Sequence, residues 1–452
     1  MVSCMKPLHD TIRRIAIDAQ FPTNGAMGGV EQGLIALVKA LGQLEGPERY
    51  LLVCPPEHPD LLKDYMGPNQ RIVIGPRFTT RYIAKRLFGL AWPNLWSRAQ
   101  RAWLWVAELL RRQFVLPGWV WESNGFYESL GVALVHVFIQ RYVRTELPTV
   151  FNPHDLQHEH LPQFFPPEVL SRRRYVYATA CRSAAAVVAG SYFTKEDVIK
   201  RYHIQPEKVW IIPAGPATAA VPSVTISYCR DTVQKYGLVE PFMFYPAMTW
   251  EHKNHLRLLE AIVRLREQGL KVNLVCTGTP KEPAWSKIRH FIEEKQLGGQ
   301  VRFLGYIPNS EVRVLYRSCQ FVIAPSLFEQ ASGPMIEAWH EDVPVATSNV
   351  TSLPDQAGNA ALLFDPWSVE SIAEAIRRMS SDESLREVLR ERGRRRLGDF
   401  SWERTAKAYR ALYRYVAHWP MTDEDRWLLG WDWMCEPRRK ERGGIAMNKD
   451  AL

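Results

Sequence analysis

Two glutamates, Glu329 and Glu337, stand eight positions apart in FEQASGPMIEA, and most residues between them are small. Eight residues make a little over two helical turns, which would put both carboxylates on one face. That does not account for Ala331, Ser332 and Gly333, which follow an apolar, strand-like run, QFVIAPS. Small residues there leave backbone N–H groups bare at the start of a helix entered at about Pro334, since proline is tolerated in a first turn. Unpaired donors and the positive end of the helix dipole make an anion site. Carboxylates on either side can accept from sugar hydroxyls. A phosphate with hydroxyl-rich groups at both ends is a nucleotide sugar.

Three further stretches carry candidate chemistry. FYPAMTWEHKNHLRLLEA sets Lys253 at the end of a loop between strand and helix, where an ammonium meets a diphosphate as a point charge. A lone loop lysine is otherwise a solvated cation. NGAMGGVEQ puts Gly28 and Gly29 before the first helix, where backbone can approach a phosphate or an acceptor closely, although an ordinary strand-to-helix turn also uses such a pair. FNPHDLQHEHLPQFF ends a strand at His154 and Asp155. His154, His158 and His160 do not have a tight ligand spacing, so no metal is expected.

The elements that must position these residues follow an α/β rhythm. RRIAIDAQFP reads as a strand, GVEQGLIALVKALGQL as a helix with Val30, Leu34, Leu37, Val38 and Leu41 at helical spacing, and RYLLVCPP as a strand. LPTVFNPHD and AAAVVAGS are later strands of the same layer. From Ile211 to about Glu240 the pattern dissolves into IIPAGPATAAVPSV and a polar helix, which marks a domain boundary. The rhythm then restarts with strands PFMFYPA, KVNLVCTG, QVRFLGYI, QFVIAPS, PVATSN and AALLFDP, and with helices between them. Asn309 or Ser310 is the expected N-cap of NSEVRVLYRSC. RERGRRRLGDF reads as a solvated helix face. Two open parallel sheets joined by a linker predict a cleft at the strands' carboxyl ends.

Composition narrows the class. A 452-residue chain with 46% hydrophobic and 23% charged residues is an ordinary globular protein of two or three domains. Seven scattered cysteines without a CxxC pair favour a reducing compartment over a disulfide frame or zinc ribbon. No run is long enough to span a bilayer, and the N-terminus lacks a signal-peptide core, so a cytoplasmic protein is expected. The net charge of +9 is uneven: Arg71 to Trp121 holds nine Lys/Arg against one acid, with six tryptophans. That mixture suits an anionic membrane interface, and equally a core helix pair with a solvated basic face. No nucleic-acid reader motif is present, and no nucleic-acid partner is expected.

From about Arg14 to Tyr415 the chain resembles the family-4 retaining glycosyltransferases, most specifically in PSLFEQASGPMIEAWHEDVPVATSNVTSLPDQAGNAALLFDP and in the W-x-HKNH passage. The resemblance implies the GT-B fold: two Rossmann-like, doubly wound parallel-sheet domains facing a cleft. The expected division is an acceptor domain over 1–215, a nucleotide-sugar domain over 216–400, and a helix returning toward the first domain plus a polar tail over 401–452. It implies that Glu329 contacts the transferred sugar, Glu337 the ribose, Lys253 the diphosphate, and His154 the region near the sugar. His158 would serve local structure or the acceptor loop. Gly28 and Gly29 would line the donor phosphate, together with Ala331, Ser332 and Gly333.

Two departures stand out. Ala247 occupies the position of a common arginine, and Ser332 that of a common glycine, which adds a hydroxyl near the sugar. The implied activity moves a hexose from GDP-mannose or another hexose donor to a glycan or lipid-linked glycan with retention and without a metal or cofactor. Residues 77–121 would contact the inner face of an anionic membrane. A sugar phosphorylase or nucleotide-sugar epimerase of the same fold is the rival enzyme, and a non-catalytic membrane-associated scaffold the rival non-enzyme.

Overall fold

The computed structural model describes residues 12–21, 29–76, 119–216 and 224–433. The first half is built on a seven-stranded sheet with every neighbouring pair parallel. Its spatial order is Gln70–Ile74, Glu48–Cys54, Arg13–Asp18, Leu134–Val137, Thr149–Phe151, Ala186–Ala189 and Val209–Ile211. Central strands are apolar in continuous runs because helices cover both faces: Ile15, Ala16 and Ile17 are all fully buried. Three of these strands, Gln70–Ile74, Leu134–Val137 and Val209–Ile211, are additions to the sequence expectation. The first is a half-exposed edge strand carrying Arg71, and the last closes the opposite edge.

The second half carries a six-stranded parallel sheet, ordered Val301–Phe303, Asn273–Thr277, Phe242–Pro246, Phe321–Ala324, Val345–Ser348 and Leu362–Phe364. Its helices include His255–Glu267, which buries Leu258, Leu259, Ile262 and Leu265 on one face. Neither Asn309 nor Ser310 caps the helix Asn309–Ser318. Pro308 occupies that position without a side-chain bond, its fixed φ leading the chain into the first turn. In each sheet the strand order reverses beside the first strand of its half, so the topological switch points lie at the ends of Arg13–Asp18 and Phe242–Pro246.

The helix Trp402–Val416 belongs to the first sheet although it follows the second in sequence. Ala406, Tyr409, Leu412 and Tyr413 share one core with Ile15, Ile17, Leu37 and Leu41. Burying a side chain such as Leu412 contributes about 1.5–3 kcal/mol. Polar contacts fix the register. His136 Nε2 donates to Asn152 Oδ1 at 2.8 Å, its Nδ1 accepts from Tyr413 Oη at 2.7 Å, and Asn152 Nδ2 donates to Tyr409 Oη at 2.6 Å. Arg414 bonds Glu48 and Asp425, each at 2.8 Å.

The two chain crossings between the halves are tied together, since Thr405 Oγ1 donates to the Pro213 carbonyl at 2.6 Å and Trp402 Nε1 to that of Pro216 at 3.1 Å. A Cβ on Gly215 would lie 2.6 Å from Trp402 N, so only glycine allows this approach. Beyond the helix Asp423–Gly430, Trp433 is buried, stacked on Tyr192 of the first half and edge-on to Phe400 of the second.

The reading of RERGRRRLGDF as a solvated face holds for Arg394 and Arg395, which pair with Asp342 and Glu391 at the surface. It fails for Arg396. That guanidinium is buried between the Phe400 and Trp433 rings and donates to the carbonyls of Gln356, Asp355 and Trp433. Buried carbonyls need donors, and an arginine fork supplies several at once.

Candidate active site

The strands Phe242–Pro246 and Phe321–Ala324 are neighbours at the switch point, and their outgoing loops bring Lys253 and Glu329 together. The first loop makes a 3₁₀ turn over Glu251–Lys253 and ends at Asn254, whose φ of 62° is left-handed. Asn254 Nδ2 donates to the carbonyls of Pro325 (3.0 Å) and Pro366 (2.8 Å), Leu327 N to that of His252 (2.8 Å), and Tyr245 Oη to that of Lys253 (2.8 Å). With the loops laced, Lys253 Nζ donates to Glu329 Oε1, both side chains being largely buried. Ala247 supplies no charge here. Its backbone abuts Gly278, and the neighbouring cations are Lys281, 5.5 Å from the Trp250 ring centre, and Arg257, which donates to Asn254 Oδ1.

Glu329 sits in the loop before the helix Gly333–His340. Its peptide is gripped from the next loop: Thr351 Oγ1 and Ser352 Oγ each donate to its carbonyl at 2.7 Å, and its N–H donates to Thr351 Oγ1 at 3.1 Å. The expectation of a bare amide at Ser332 is corrected. Ser332 N donates to Gln356 Oε1 at 2.6 Å while Gln356 Nε2 donates back to the Ser332 carbonyl at 3.1 Å. Its hydroxyl is the helix N-cap, accepting from Met335 N, so it is committed to the helix and not to a ligand. Among the described residues, the amides of Ala331 and Gly333 have no partner, and Gly333 is exposed. They are the open donors at the start of this helix.

Glu337, in the same helix, accepts from Tyr316 Oη at 2.6 Å. Burial raises its pKa, opposed by the tyrosine bond. Tyr316 is itself fully buried, edge-on to Phe244 at 5.1 Å.

On the facing half, His154 follows the strand Thr149–Phe151 with a left-handed φ of 63°. Its Nε2 lies 2.5 Å from the Phe138 carbonyl, which can only accept, so Nε2 carries the proton and Nδ1 is left as an acceptor. Burial holds its pKa below the usual imidazole value, favouring the neutral ring. His158 is buried with its ring 4.8 Å from Tyr177, while His160 Nε2 lies 2.7 Å from Asp197 Oδ2. The three histidines engage three different partners.

A cluster that sequence reasoning missed lies at the end of Arg13–Asp18, where Arg141 bonds both Asp18 oxygens (2.6 and 2.7 Å) and Tyr127 Oη donates to Asp18 at 3.1 Å. Thr351, Ser352, Gln356 and Tyr316 were also missed as supports. The only signal was the Ser/Thr-rich run before SLPDQAG. Gly29 opens its helix with free space beside it. Gly28 lies outside the described residues, as does 77–118 of the basic, Trp-bearing stretch. Among the described residues no helix is long and apolar enough to cross a membrane.

Residues 27–219 match the model for Glycosyltransferase Family 4, and residues 234–396 that for Glycosyl transferases group 1. O-antigen chain mannosyltransferase B of Escherichia coli is 27% identical over 268 residues, 57% of this chain and 69% of that one. The serotype-specific mannosyltransferase WbdA of E. coli is 26% identical over 229 residues, 49% of this chain but only 28% of that longer relative. Among solved structures, Anabaena HepE in complex with UDP and glucose superposes with a TM-score of 0.64 at 16% identity, over 89% of this chain and 100% of that one. Sucrose-phosphate synthase from Thermosynechococcus elongatus also gives 0.64, at 19% identity over 89% and 99%.

Proposed function

From the premise that this chain is a glycosyltransferase with the GT-B fold, we propose that it moves a hexose from a nucleotide-diphosphate sugar to a glycan or lipid-linked glycan, with retention at the anomeric carbon. The observation that carries the reading is the meeting of Lys253 and Glu329 at the switch point, beside the open amides of Ala331 and Gly333. The mannosyltransferase names of the relatives support mannose as the hexose. Residues 216–400 hold the donor in this reading and 1–215 the acceptor, with 77–121 meeting an anionic membrane where a lipid-linked acceptor resides.

The chemistry follows from charge. Breaking a glycosyl–phosphate bond leaves an oxocarbenium-like carbon and a departing diphosphate, so preorganised positive groups at the phosphate lower the barrier. Lys253 and Glu329 neutralise each other across their loops. A diphosphate competes for Lys253 and frees the Glu329 carboxylate to accept from sugar hydroxyls. Glu337, beyond the phosphate, accepts from the ribose, and His154 Nδ1 accepts from a sugar hydroxyl on the opposite side. Among the described residues no carboxylate is placed as a covalent nucleophile of the two-carboxylate kind. Front-face attack assisted by the leaving phosphate accounts for retention, and no metal or cofactor enters the scheme.

Mass-spectrometric detection of nucleotide diphosphate release from a donor panel that includes GDP-mannose tests the reading. Acceptor-dependent release from a hexose donor is expected, with the product's anomeric configuration retained by NMR. No release from any donor, release only with free phosphate as acceptor, or an inverted product overturns it.

A further inference from the structure

Phe328, the residue before Glu329, is only 4% exposed although its loop faces the other half of the molecule. The cover comes from that half. The His160 ring lies 5.1 Å from the Phe328 ring, Phe193 meets it edge-on at 6.1 Å, and those two rings are 5.7 Å apart. Leu161 and Leu327 complete the cluster, with Phe164 at its margin. His160 is held in place by Asp197, which also accepts from Arg201 Nε at 2.7 Å. Gln330, on the other side of Glu329, rests on the same half: a Cβ at Gly190 would lie 1.9 Å from Gln330 Nε2.

Both chain neighbours of Glu329 therefore lean on the first half, while its own peptide is gripped by Thr351 and Ser352 of the second. Separating the halves would bare Phe328 and Leu327 to water and leave the carboxylate located from one side only. We propose that Phe193 and His160 are positioning residues for Glu329, so that closing the cleft and placing its carboxylate against the transferred sugar are a single event. This rests on the glycosyltransfer reading. Glu337 is held within the second half by Tyr316, and Lys253, though bonded to Glu329, has its own loop fixed within the second half by Tyr245 and Asn254.

The test is Phe193→Leu, which removes the ring, beside Phe193→Tyr, which keeps it. Donor turnover is measured by nucleotide diphosphate release, and affinity for GDP and UDP by calorimetry. Phe193→Leu is expected to lower kcat about 10²-fold, the cost of a misplaced reacting group, with nucleotide affinity at the wild-type value and kcat recovered in Phe193→Tyr. Should Phe193→Leu not fold, His160→Gln carries the same comparison, since glutamine can still reach Asp197 but offers no ring to Phe328. Unchanged kcat overturns the proposal, and so does a fall in nucleotide affinity that parallels the fall in kcat. Wild-type protein that neither binds GDP or UDP nor releases nucleotide overturns the glycosyltransfer reading and this proposal together. Wild-type activity in Phe193→Leu or His160→Gln overturns this one alone.

Discussion

Tyr316→Phe should make nucleotide binding depend on pH. Glu337 is a half-buried carboxyl whose pKa is raised by desolvation, and the hydroxyl of Tyr316, 2.6 Å away, holds it toward the charged form. A hydrogen bond to a charged group is worth about 1.5–3 kcal/mol, so its loss biases Glu337 toward protonation roughly 10- to 150-fold. The ring itself stays, packed edge-on to Phe244, and no cavity opens. A protonated carboxyl accepts poorly from ribose hydroxyls. Titration calorimetry with GDP and UDP from pH 8.5 to 5.5 should therefore show the variant losing affinity as pH falls, at a higher pH than wild type. Affinity should recover at the alkaline end. If wild type and variant give superimposable pH profiles, Glu337 does not bind the nucleotide through its charge and the ribose assignment is wrong.

Lys253→Met keeps most of the stem and removes the cation. Thermal unfolding should change little while kcat falls about 10²- to 10³-fold, and wild-type turnover would mean the diphosphate is neutralised elsewhere. Gln356→Ala orphans the buried N–H and carbonyl of Ser332 at about 1–3 kcal/mol for each group, read as a lower urea midpoint. A urea midpoint that Gln356→Ala leaves unchanged would refute the two-bond account. Burial pushes the pKa of His136 down to about 4 and those of His158 and His255 to about 3, so the native state keeps them neutral. Their contribution is fully present above the unfolded value near 6.5 and is lost as pH falls toward 4 and 3. At pH 4 His136 alone should remove about 3 kcal/mol, and a thermal midpoint that is flat from pH 7 to 4.5 would contradict this. Replacing Arg98, Arg101, Arg111 and Arg112 with Gln should release the protein from anionic liposomes at about 1 kcal/mol per cation, and equal co-sedimentation would reject membrane contact.

Strands of the second half were legible because each is a short apolar run between turn residues, as in PFMFYPA and QFVIAPS. Gln70–Ile74 was not, since an edge strand with Arg71 in it reads as part of the basic stretch that follows. Leu134–Val137 sits inside a longer apolar run, GVALVHVFIQ, that has no internal punctuation. In the site, Glu329, Lys253 and Glu337 could be picked out by type and spacing. What holds them could not. Gln356 reaches Ser332 from the short helix Leu353–Ala357, 24 positions away, and Tyr316 reaches Glu337 from another helix. The bare amide at Ser332 failed for the same reason: whether a backbone donor is free depends on side chains remote in sequence.

The helix Trp402–Val416 also sets the order in which this chain can become compact. Every strand of the first sheet has been synthesised by Ile211, yet Glu48 waits for Arg414 and His136 for Tyr413 to complete their bonds. At about 5–20 residues per second, a ribosome needs roughly 10–40 s to travel that distance. Through that interval the nascent first half carries an open apolar groove, and Glu48, 3.6 Å from Arg13, still lacks its closer bond from Arg414, while the second half can finish on its own core. The domain made first is thus completed last. A chain cut anywhere before Val416 would leave the first half unfinished, whichever domain the cut was meant to spare.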